Sequence, residues 1–427
     1  MITRSVILLF VVIISQNATL AQQHSVDLLS KMQFDVDCVM NNAISQRAFP
    51  GGVVYASHKG KVMLHQAYGY HTYDSLIMVD TSHIYDLASL TKVMGSGLAL
   101  MKLYEEGLIN LDSPLSTYFK GFKCRDIGDL TLRLCLSHQS GLKGWIKFYM
   151  DTMDKNGDLK RRYFSVLADE KFPFEVSEGM YLRSDFYKQI RKTIKKEKVN
   201  ENPKYLYSGI FFYLVPELVE KLTGSNLNDY LNDNFFRPMG ASTLTFNPLE
   251  KFGINQIVPT EIDTFFRHSP IHGKVHDEGA ILMKGISGNA GLFGNSSDVA
   301  KVWEMLVENG SYSGIEFLKP ETVALFTTAQ FPNLDNRRGL TFDKPLLEYD
   351  SIISSVAESA TYRSYGHTGY TGTLSWADPA NDLVFIFLSN RVYPNRNQKK
   401  IYELNVRPTI HQLLYDYIDQ LSGDRCE

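Results

Sequence analysis

Residues 86–101 read DLASLTKVMGSGLALM, in which a short polar segment leads into an apolar run with the spacing of a helix. Ser89 lies near the start of this predicted helix, and Lys92 follows three residues later. Positions three apart lie on one face of a helix, so the Lys92 amine can take the proton of the Ser89 hydroxyl. The positive end of the helix dipole also favours the negative charge that develops on a nucleophile. The stretch therefore predicts a serine nucleophile with a lysine as its proton partner.

The pattern Ser-x-x-Lys is short, and it occurs a second time at residues 140–143. Ser89 also has a structural interpretation, because serine is a common helix N-cap and a lysine on the next turn is often exposed. The second copy, SGLK, contains a glycine and leads into no apolar helix, which indicates a loop. The context therefore favours Ser89 over Ser140 as the nucleophile.

Two further motifs follow this pair along the chain. Residues 205–209 read YLYSG before another helical pattern, and residues 365–373 read YGHTGYTGT at the start of a predicted strand. The order Ser-x-x-Lys, Tyr-Ser-x and a basic residue before Thr-Gly resembles the active-site elements of serine β-lactamases and penicillin-binding proteins. The resemblance runs from about residue 37 to residue 414 and is greatest to the class C branch. Within that branch the chain is similar to penicillin-binding protein 4B and to muramoyl-alanine amidases.

The resemblance implies a catalytic role for several residues of these motifs. Ser89 would attack a carbonyl group and form an acyl-enzyme, and Lys92 would hold or receive the serine proton. Tyr207 would act as general base and then as acid for the leaving group, although a core aromatic residue is its structural alternative. The backbone N–H groups of Ser89 and Tyr370 would form the oxyanion hole. His138 belongs to a loop of the family that is interpreted as structural, and it is left out of the catalytic set.

Four residues are implied as substrate-binding positions, namely His367, Thr368, Gly369 and Gly209. His367 stands where relatives carry lysine, and a protonated His367, with an ordinary pKa of about 6.5, would attract an acidic group of the substrate. The alternative is a neutral His367 that only hydrogen-bonds the neighbouring loop. Gly209 departs from the Asn or Asp of the family pattern, and it has no side chain to orient Lys92 or the substrate amide. We therefore expect inefficient turnover of β-lactams.

Predicted strands stand at both ends of the chain, with mostly helical patterns between them. A predicted hairpin covers residues 53–68, and a second strand pair covers residues 372–388. The fold class is therefore α+β, with an antiparallel sheet formed from the N- and C-terminal segments, flanking helices and an inserted, mostly helical lobe. The lobe is expected at about residues 110–300. An irregular insertion at residues 145–204 is either a solvated charged face or a substrate-lining lid.

The N-terminus has the pattern of a secretory signal peptide. Arg4 is followed by a short apolar run and by small residues before a cleavage site after Ala21. We predict a signal peptide at residues 1–21, a hydrolase domain at residues 22–427 and a periplasmic or secreted location. An uncleaved anchor is the alternative, but the apolar run is short. No later segment reaches the roughly 18 apolar residues of a membrane span, so no stable membrane anchor is expected.

Composition and patterning exclude other classes of protein. The formal net charge of −3 provides no field to gather nucleic-acid phosphate, so no nucleic-acid partner is expected. His268, His272 and His276 recur every four residues. Pro270 and Gly273 interrupt any helix there, so we expect no metal site, and no other pattern indicates a cofactor.

These patterns together predict an exported serine hydrolase that forms an acyl-enzyme at Ser89. The expected substrate is a small molecule or peptide, such as a cell-wall fragment, in which an amide bond of a peptidoglycan-derived peptide or muropeptide is cleaved. Two alternatives stay open. A carboxylesterase of the same fold would use the same Ser-Lys-Tyr chemistry, and a catalytically degenerate penicillin-binding or sensor protein would keep the cleft without turnover.

Overall fold

The computed structural model describes residues 25–423, and the predicted signal peptide at residues 1–21 lies outside the described residues. The strands in chain order are β1 (Gly51–His58), β2 (Lys61–Gly69), β3 (Tyr85–Asp86), β4 (Phe164–Ser165), β5 (Phe174–Ser177), β6 (Met180–Leu182), β7 (Thr245–Phe246), β8 (Glu261–Asp263), β9 (Ser269–Ile271), β10 (Leu292–Gly294), β11 (Ser311–Tyr312), β12 (Ile315–Glu316), β13 (Tyr365–Thr368), β14 (Leu374–Asp378) and β15 (Leu383–Ser389). The helices are α1 (residues 25–45), α2 (Leu98–Glu105), α3 (Leu115–Tyr118), α4 (Leu132–Leu136), α5 (Tyr187–Ile194), α6 (Val215–Thr223), α7 (Leu227–Leu231), α8 (Glu278–Ile281), α9 (Ser296–Val307), α10 (Pro320–Thr327), α11 (Lys400–Glu403) and α12 (Val406–Gly423). Within residues 25–423, no helix combines the length and the apolar character that a bilayer crossing requires.

The central sheet has five antiparallel strands in the order β13-β14-β15-β1-β2. β1 pairs with β15 from Gly52 opposite Ser389 to His58 opposite Leu383. Strands from the two ends of the chain are therefore neighbours in space. This arrangement confirms the predicted α+β fold, with an antiparallel sheet formed by both terminal segments.

The inner strands are buried on both faces of the sheet, and their side chains alternate between two hydrophobic cores. Because successive side chains of a strand point to opposite faces, a strand buried on both sides has a continuous apolar sequence. β15 shows this in the run LVFIFLS, of which every residue is buried. One core receives Val53, Tyr55, Ile386 and Leu388, and the other receives Val54, Ala56, Phe385 and Phe387.

Helices cover each face of the sheet. On one side, Val36 of α1 and Leu414 of α12 belong to the same core as the inner strands, which keeps both ends of the described chain on one face. On the other side, Leu98 of α2 and Trp303 of α9 belong to the larger core. Each fully buried side chain of this size contributes about 1.5–3 kcal/mol from burial, so the two cores hold the sheet between the helical layers.

The long connection between β2 and β13 carries α2 to α10 and several small sheets. β3 and β7 flank β10 in one of them. The predicted irregular insertion at residues 145–204 contains the small sheet β4-β6-β5 and helix α5. The boundaries of the inserted lobe and of the mature domain stay predictions.

Candidate active site

Ser89 lies in a tight 3-10 turn, Ala88–Leu90, directly after β3. Ala88 has φ +47, in the left-handed region that is unfavourable for a residue with a side chain. The carboxylate of Asp86 holds this turn, because Oδ1 accepts the Ala88 N–H at 2.8 Å and Oδ2 accepts the His276 N–H at 2.7 Å. Strain of this kind is common at functional sites. The sequence motif contains Asp86, but nothing in its local pattern indicated this role.

The helix after Ser89 differs from the regular α-helix predicted from the sequence. It continues from the 3-10 turn as a π-helix over Lys92–Gly97 and becomes α-helical at α2. Gly97 packs so closely that a Cβ there would lie 2.8 Å from Thr341 Oγ1, and glycine has a low helix propensity. π-helical turns are frequent at functional sites. Gly97 is therefore a packing requirement, and the two glycines of the run also weaken the regular α-helix.

Lys92 and Ser89 are in direct contact. The Lys92 Nζ donates to Ser89 Oγ at 3.0 Å and to the backbone carbonyl oxygen of Asn289 at 2.8 Å. Lys92 is 3% exposed, and its Nζ lies 5.3 Å and 5.5 Å from the ring centroids of Tyr207 and Phe212. A buried amine within hydrogen-bond distance of a hydroxyl has the geometry that proton transfer requires.

Tyr207 lies beside Lys92 and lines the same cavity. Its hydroxyl oxygen is buried and has no hydrogen-bond partner among residues 25–423. The ring centroid of Tyr207 is 4.5 Å from that of His138 and 5.8 Å from that of His367, and the guanidinium carbon of Arg338 is 5.2 Å away. The structure therefore brings Tyr207 close to the lysine, with its hydroxyl bonded neither to the lysine nor to the serine.

His367 lies on β13 next to Tyr207 and is 2% exposed. Its Nδ1–H donates to the Thr368 carbonyl oxygen at 2.7 Å. Burial, together with the positive charges of Arg338 and Lys92, lowers the pKa of His367 to about 3. The expectation of a cationic His367 is therefore corrected, because burial and these two cations outweigh the opposing charge of Asp343 and keep the imidazole neutral at physiological pH. Its side chain is not part of the cavity lining formed by the described residues.

The loop after β13 approaches the turn that carries Ser89. A Cβ on Gly369 would lie 2.8 Å from the Leu87 carbonyl oxygen, so the close approach requires glycine. Thr368 is half-buried beside it. Tyr370 lines the cavity, its backbone N–H donates to no acceptor within the described part of the chain, and its ring stacks on His276 at 5.8 Å. A free N–H at this place is what an oxyanion donor requires.

Gly209 leaves open space in the cavity wall. A Cβ built on Gly209 would have only the Gly144 carbonyl oxygen nearby, at 4.0 Å. The Gly209 N–H donates to that same oxygen at 3.0 Å. Packing therefore leaves room for a side chain at position 209, so steric crowding does not explain the glycine there.

A cavity of about 670 Å³ surrounds Ser89, Lys92 and Tyr207. Its walls join segments that are far apart in the sequence, and the motifs predicted Gly209 and Tyr370 among the lining residues. Trp145 and Tyr149 come from the irregular insertion, for which a substrate-lining lid was one alternative. Aromatic walls come from Trp145, Tyr149, Tyr213, Phe265 and Tyr370, and polar groups come from Asn289, Asp277, Glu278 and Arg396.

An ion-pair network supports one side of this cavity. Glu261 contacts His276 at 2.8 Å and Arg396 at 2.5 Å, and Arg396 also contacts Glu278 at 2.7 Å. Burial alone would raise the pKa of Glu261, but hydrogen bonds and charge from His276 and Arg396 lower it to about 2. The His276 ring is therefore bound to the Glu261 carboxylate. No three His, Cys, Asp or Glu residues within the described ranges are grouped to hold a metal ion.

Comparisons with known proteins show the family and the fold of this chain. Residues 30–406 match the family described as Beta-lactamase. A "Putative D-alanyl-D-alanine carboxypeptidase" from Escherichia coli strain K12 is 30% identical over 339 residues, which cover 75% of this chain and 73% of the relative. An N-acetylmuramyl-L-alanine amidase from Bacillus subtilis strain 168 is 30% identical over 375 residues, covering 80% and 77%. The solved class C β-lactamase from Rhodobacter sphaeroides has a TM-score of 0.59 at 17% identity, covering 91% of this chain and 99% of that chain.

Proposed function

The chain belongs to the Beta-lactamase family, and we propose that it is an exported serine hydrolase that cleaves an amide bond in peptidoglycan-derived peptides or muropeptides. The observation that carries this proposal is the contact of 3.0 Å between Lys92 Nζ and Ser89 Oγ inside a cavity of about 670 Å³. A hydroxyl beside a buried amine, in a concave site with aromatic walls, is suited to covalent catalysis on a bound substrate.

In the proposed acylation step, Ser89 Oγ attacks the carbonyl carbon of the substrate amide while its proton moves to Lys92 Nζ. The tetrahedral intermediate then collapses as the carbon–nitrogen bond breaks and the leaving nitrogen receives a proton. The product is an ester between Ser89 and the acyl group. Water then attacks this ester, which releases the carboxylic acid and returns the proton to Ser89 Oγ.

Other residues of the site have supporting roles in this proposal. Tyr207 acts as base and as the acid that protonates the leaving nitrogen, and its buried hydroxyl has no other partner among the described residues. The N–H groups of Ser89 and Tyr370 stabilise the oxyanion. Thr368 and the open position at Gly209 contact substrate. Gly369 permits the close approach of this loop, and His367 acts only through its neighbours.

The relatives support a cell-wall substrate. One is named D-alanyl-D-alanine carboxypeptidase and the other N-acetylmuramyl-L-alanine amidase, and both names describe amide bonds of peptidoglycan. The cavity offers flat aromatic side chains such as Trp145 and Tyr149 beside polar groups such as Asn289 and Asp277. A ligand with both apolar faces and amide groups, as in a peptide or muropeptide, matches such a lining.

Export is part of the proposal. It is supported by the signal-peptide pattern of residues 1–21, which lie outside the described residues, and by the cell-wall names of the relatives. A cell-wall substrate is met in the periplasm or outside the cell. We therefore propose a periplasmic or secreted location, with a small-molecule or peptide substrate as the partner.

Active-serine labelling tests the proposal. Treatment with a fluorescent penicillin or a fluorophosphonate, followed by intact-mass and peptide analysis, should show one adduct on the peptide that contains Ser89. Ser140→Ala is the matched control, because Ser140 begins the second Ser-x-x-Lys pattern, and this variant should label like the wild type. An adduct on Ser140 or Ser208 would contradict the assignment.

The same labelled protein separates the alternatives. Release of the adduct over time, together with hydrolysis of purified muropeptides or D-amino-acid peptides, supports the amidase. Turnover confined to short-chain esters supports a carboxylesterase. Labelling without release supports a penicillin-binding protein without turnover, and no labelling in wild type supports a non-catalytic binding or sensor protein.

A further inference from the structure

His138, which the sequence analysis left out of the catalytic set, lies in a strained loop against Tyr207. Its φ of +58 is in the left-handed region, which residues with a side chain rarely adopt. The residue is fully buried, and its ring centroid is 4.5 Å from that of Tyr207. Strain of this kind persists only where surrounding contacts hold it, and it is concentrated at functional sites. Here it places an imidazole directly against the tyrosine ring.

The main chain and the ring of His138 both bind the segment that carries Tyr207. The His138 carbonyl oxygen accepts the Leu206 N–H at 3.2 Å, and Nδ1 of the ring accepts the Ser208 N–H at 3.2 Å. These donors are the residues on either side of Tyr207. One buried residue therefore holds the tyrosine backbone from both sides.

The contact with Ser208 determines which ring nitrogen of His138 carries a proton. A neutral imidazole has one N–H donor and one acceptor nitrogen, and Nδ1 is the acceptor here. Nε2 therefore carries the hydrogen. Burial, and after it the positive charges of Arg338 and Lys92, lower the pKa of His138 well below its ordinary value. The ring is thus neutral and remains a donor at Nε2 in the physiological range.

Four buried polar atoms around Tyr207 have no partner among residues 25–423. They are Nε2 of His138, Nη1 of Arg338, Nε2 of His367 and the hydroxyl oxygen of Tyr207. His138 and Arg338 supply donors at these atoms. His367 supplies an acceptor, because its Nδ1–H is used by the Thr368 carbonyl oxygen. The tyrosine oxygen is a second acceptor and can take the hydrogen of His138, and buried polar groups in proteins are rarely left unpaired.

We propose that His138 is a positioning residue for Tyr207, with its Nε2–H donating to the Tyr207 hydroxyl oxygen and stabilising the phenolate form of that residue. In the same arrangement, Nη1–H of Arg338 donates to Nε2 of His367. Neither contact uses the hydrogen of the Tyr207 hydroxyl, so this proton is free to move to the leaving nitrogen. This inference rests on the proposed function of Tyr207. A donor to the charged form of an acid favours that form, and hydrogen bonds of catalytic groups often close only when substrate is bound.

His138→Asn removes the donor with little change to the loop. Asparagine tolerates the left-handed conformation, and its side-chain oxygen can replace Nδ1 as acceptor of the Ser208 N–H, but its amide is too short to reach Tyr207. We expect acylation by a fluorescent penicillin to slow about 10- to 100-fold, with KM little changed. His138→Gln, with an amide nitrogen near the place of Nε2, should restore part of the rate.

His411→Asn is the matched control for this substitution. His411 is also a buried histidine whose Nδ1 accepts a backbone N–H, from Ala357 at 3.4 Å, and it lies on α12. This variant should keep the acylation rate of the wild type. An unchanged rate in His138→Asn, no recovery in His138→Gln, or an equal loss in His411→Asn would overturn the positioning role.

A spectroscopic measurement distinguishes this inference from the proposed function. In protein labelled with ¹⁵N-histidine, His138 should be protonated at Nε2 and His367 at Nδ1 from about pH 5.5 to about pH 8. Tyr207→Phe should shift the Nε2–H resonance of His138. If that shift occurs in a protein that no reagent acylates, the proposed function fails while the hydrogen bond stands. If the resonance does not move in Tyr207→Phe, the inference fails, whether or not the wild type is active.

Discussion

Lys92 donates from Nζ to the backbone carbonyl oxygen of Asn289 at 2.8 Å, across 197 residues of sequence. Because this acceptor belongs to the main chain, no side-chain substitution at position 289 removes it. The Asn289 amide is used elsewhere, since its Nδ2 donates to the Tyr213 hydroxyl at 3.2 Å. The place of the lysine is therefore set by the path of the backbone before β10.

The serine and lysine are expected to act as one unit. Ser89→Ala and Lys92→Ala should each lower the rate of substrate hydrolysis by about 1,000-fold or more, and the double variant should be little worse than either single variant. Thermal unfolding should show little change in stability. Lys143→Ala, in the second Ser-x-x-Lys pattern, is the control and should keep the rate. Additive losses in the double variant would show that Lys92 does not serve Ser89.

His367 should contribute no charge to substrate binding near neutral pH. Burial and the charges of Arg338 and Lys92 hold its pKa at about 3, so the ring stays neutral from about pH 5.5 to about pH 8. Over this range, the pH dependence of KM should be the same in wild type and in His367→Gln, for carboxylate-bearing and for neutral substrates. A KM for acidic substrates that rises with pH in wild type, and stays flat in His367→Gln, would restore the cationic role.

Glu261 should make stability depend on acid pH. Its folded-state pKa of about 2 lies below its ordinary value of 4.5, so the ionised form is favoured by folding. Its contribution is present above about pH 4.5 and is lost as pH falls through about 2; it is on the order of 3 kcal/mol. Urea unfolding at a series of pH values should show Glu261→Gln strongly destabilised at pH 6 and less so near pH 2.5. The exposed Glu250→Gln is the control, and an equal pH effect in both variants would contradict the prediction.

Gly209 should accept a side chain without loss of the fold. A Cβ there meets no atom closer than 4.0 Å, so the melting temperature of Gly209→Asn should stay within about 2 °C of the wild type. Because the asparagine amide would face the cavity that holds Lys92, we expect acylation by a fluorescent penicillin to become several-fold faster. Gly209→Ala adds the Cβ without the amide and should show no such gain. Equal rates for both variants would mean that the missing amide does not limit the reaction.

The sequence by itself determined the fold class, the family and the pairing of Ser89 with Lys92. These are local properties, because the continuous apolar run of β15, the helical run after Ser89 and each of the three short motifs can be recognised within a few residues. The contact between Lys92 and Ser89 spans three positions, so local geometry brings the two side chains together even though the helix there is partly 3-10 and π. The α+β architecture followed in the same way from apolar strands at both ends.

Only the tertiary structure decided the ionisation of the site and the shape of its cavity. His367 is neutral because burial and the nearby Arg338 and Lys92 disfavour its charge, and a pKa depends on neighbours that a motif does not contain. For the same reason the cavity walls, from Trp145 to Arg396, could not be listed in advance, since packing joins residues far apart in the sequence. The strained loop of His138 contacts Tyr207 only in the folded chain, because contacts between distant segments hold its backbone in the left-handed conformation.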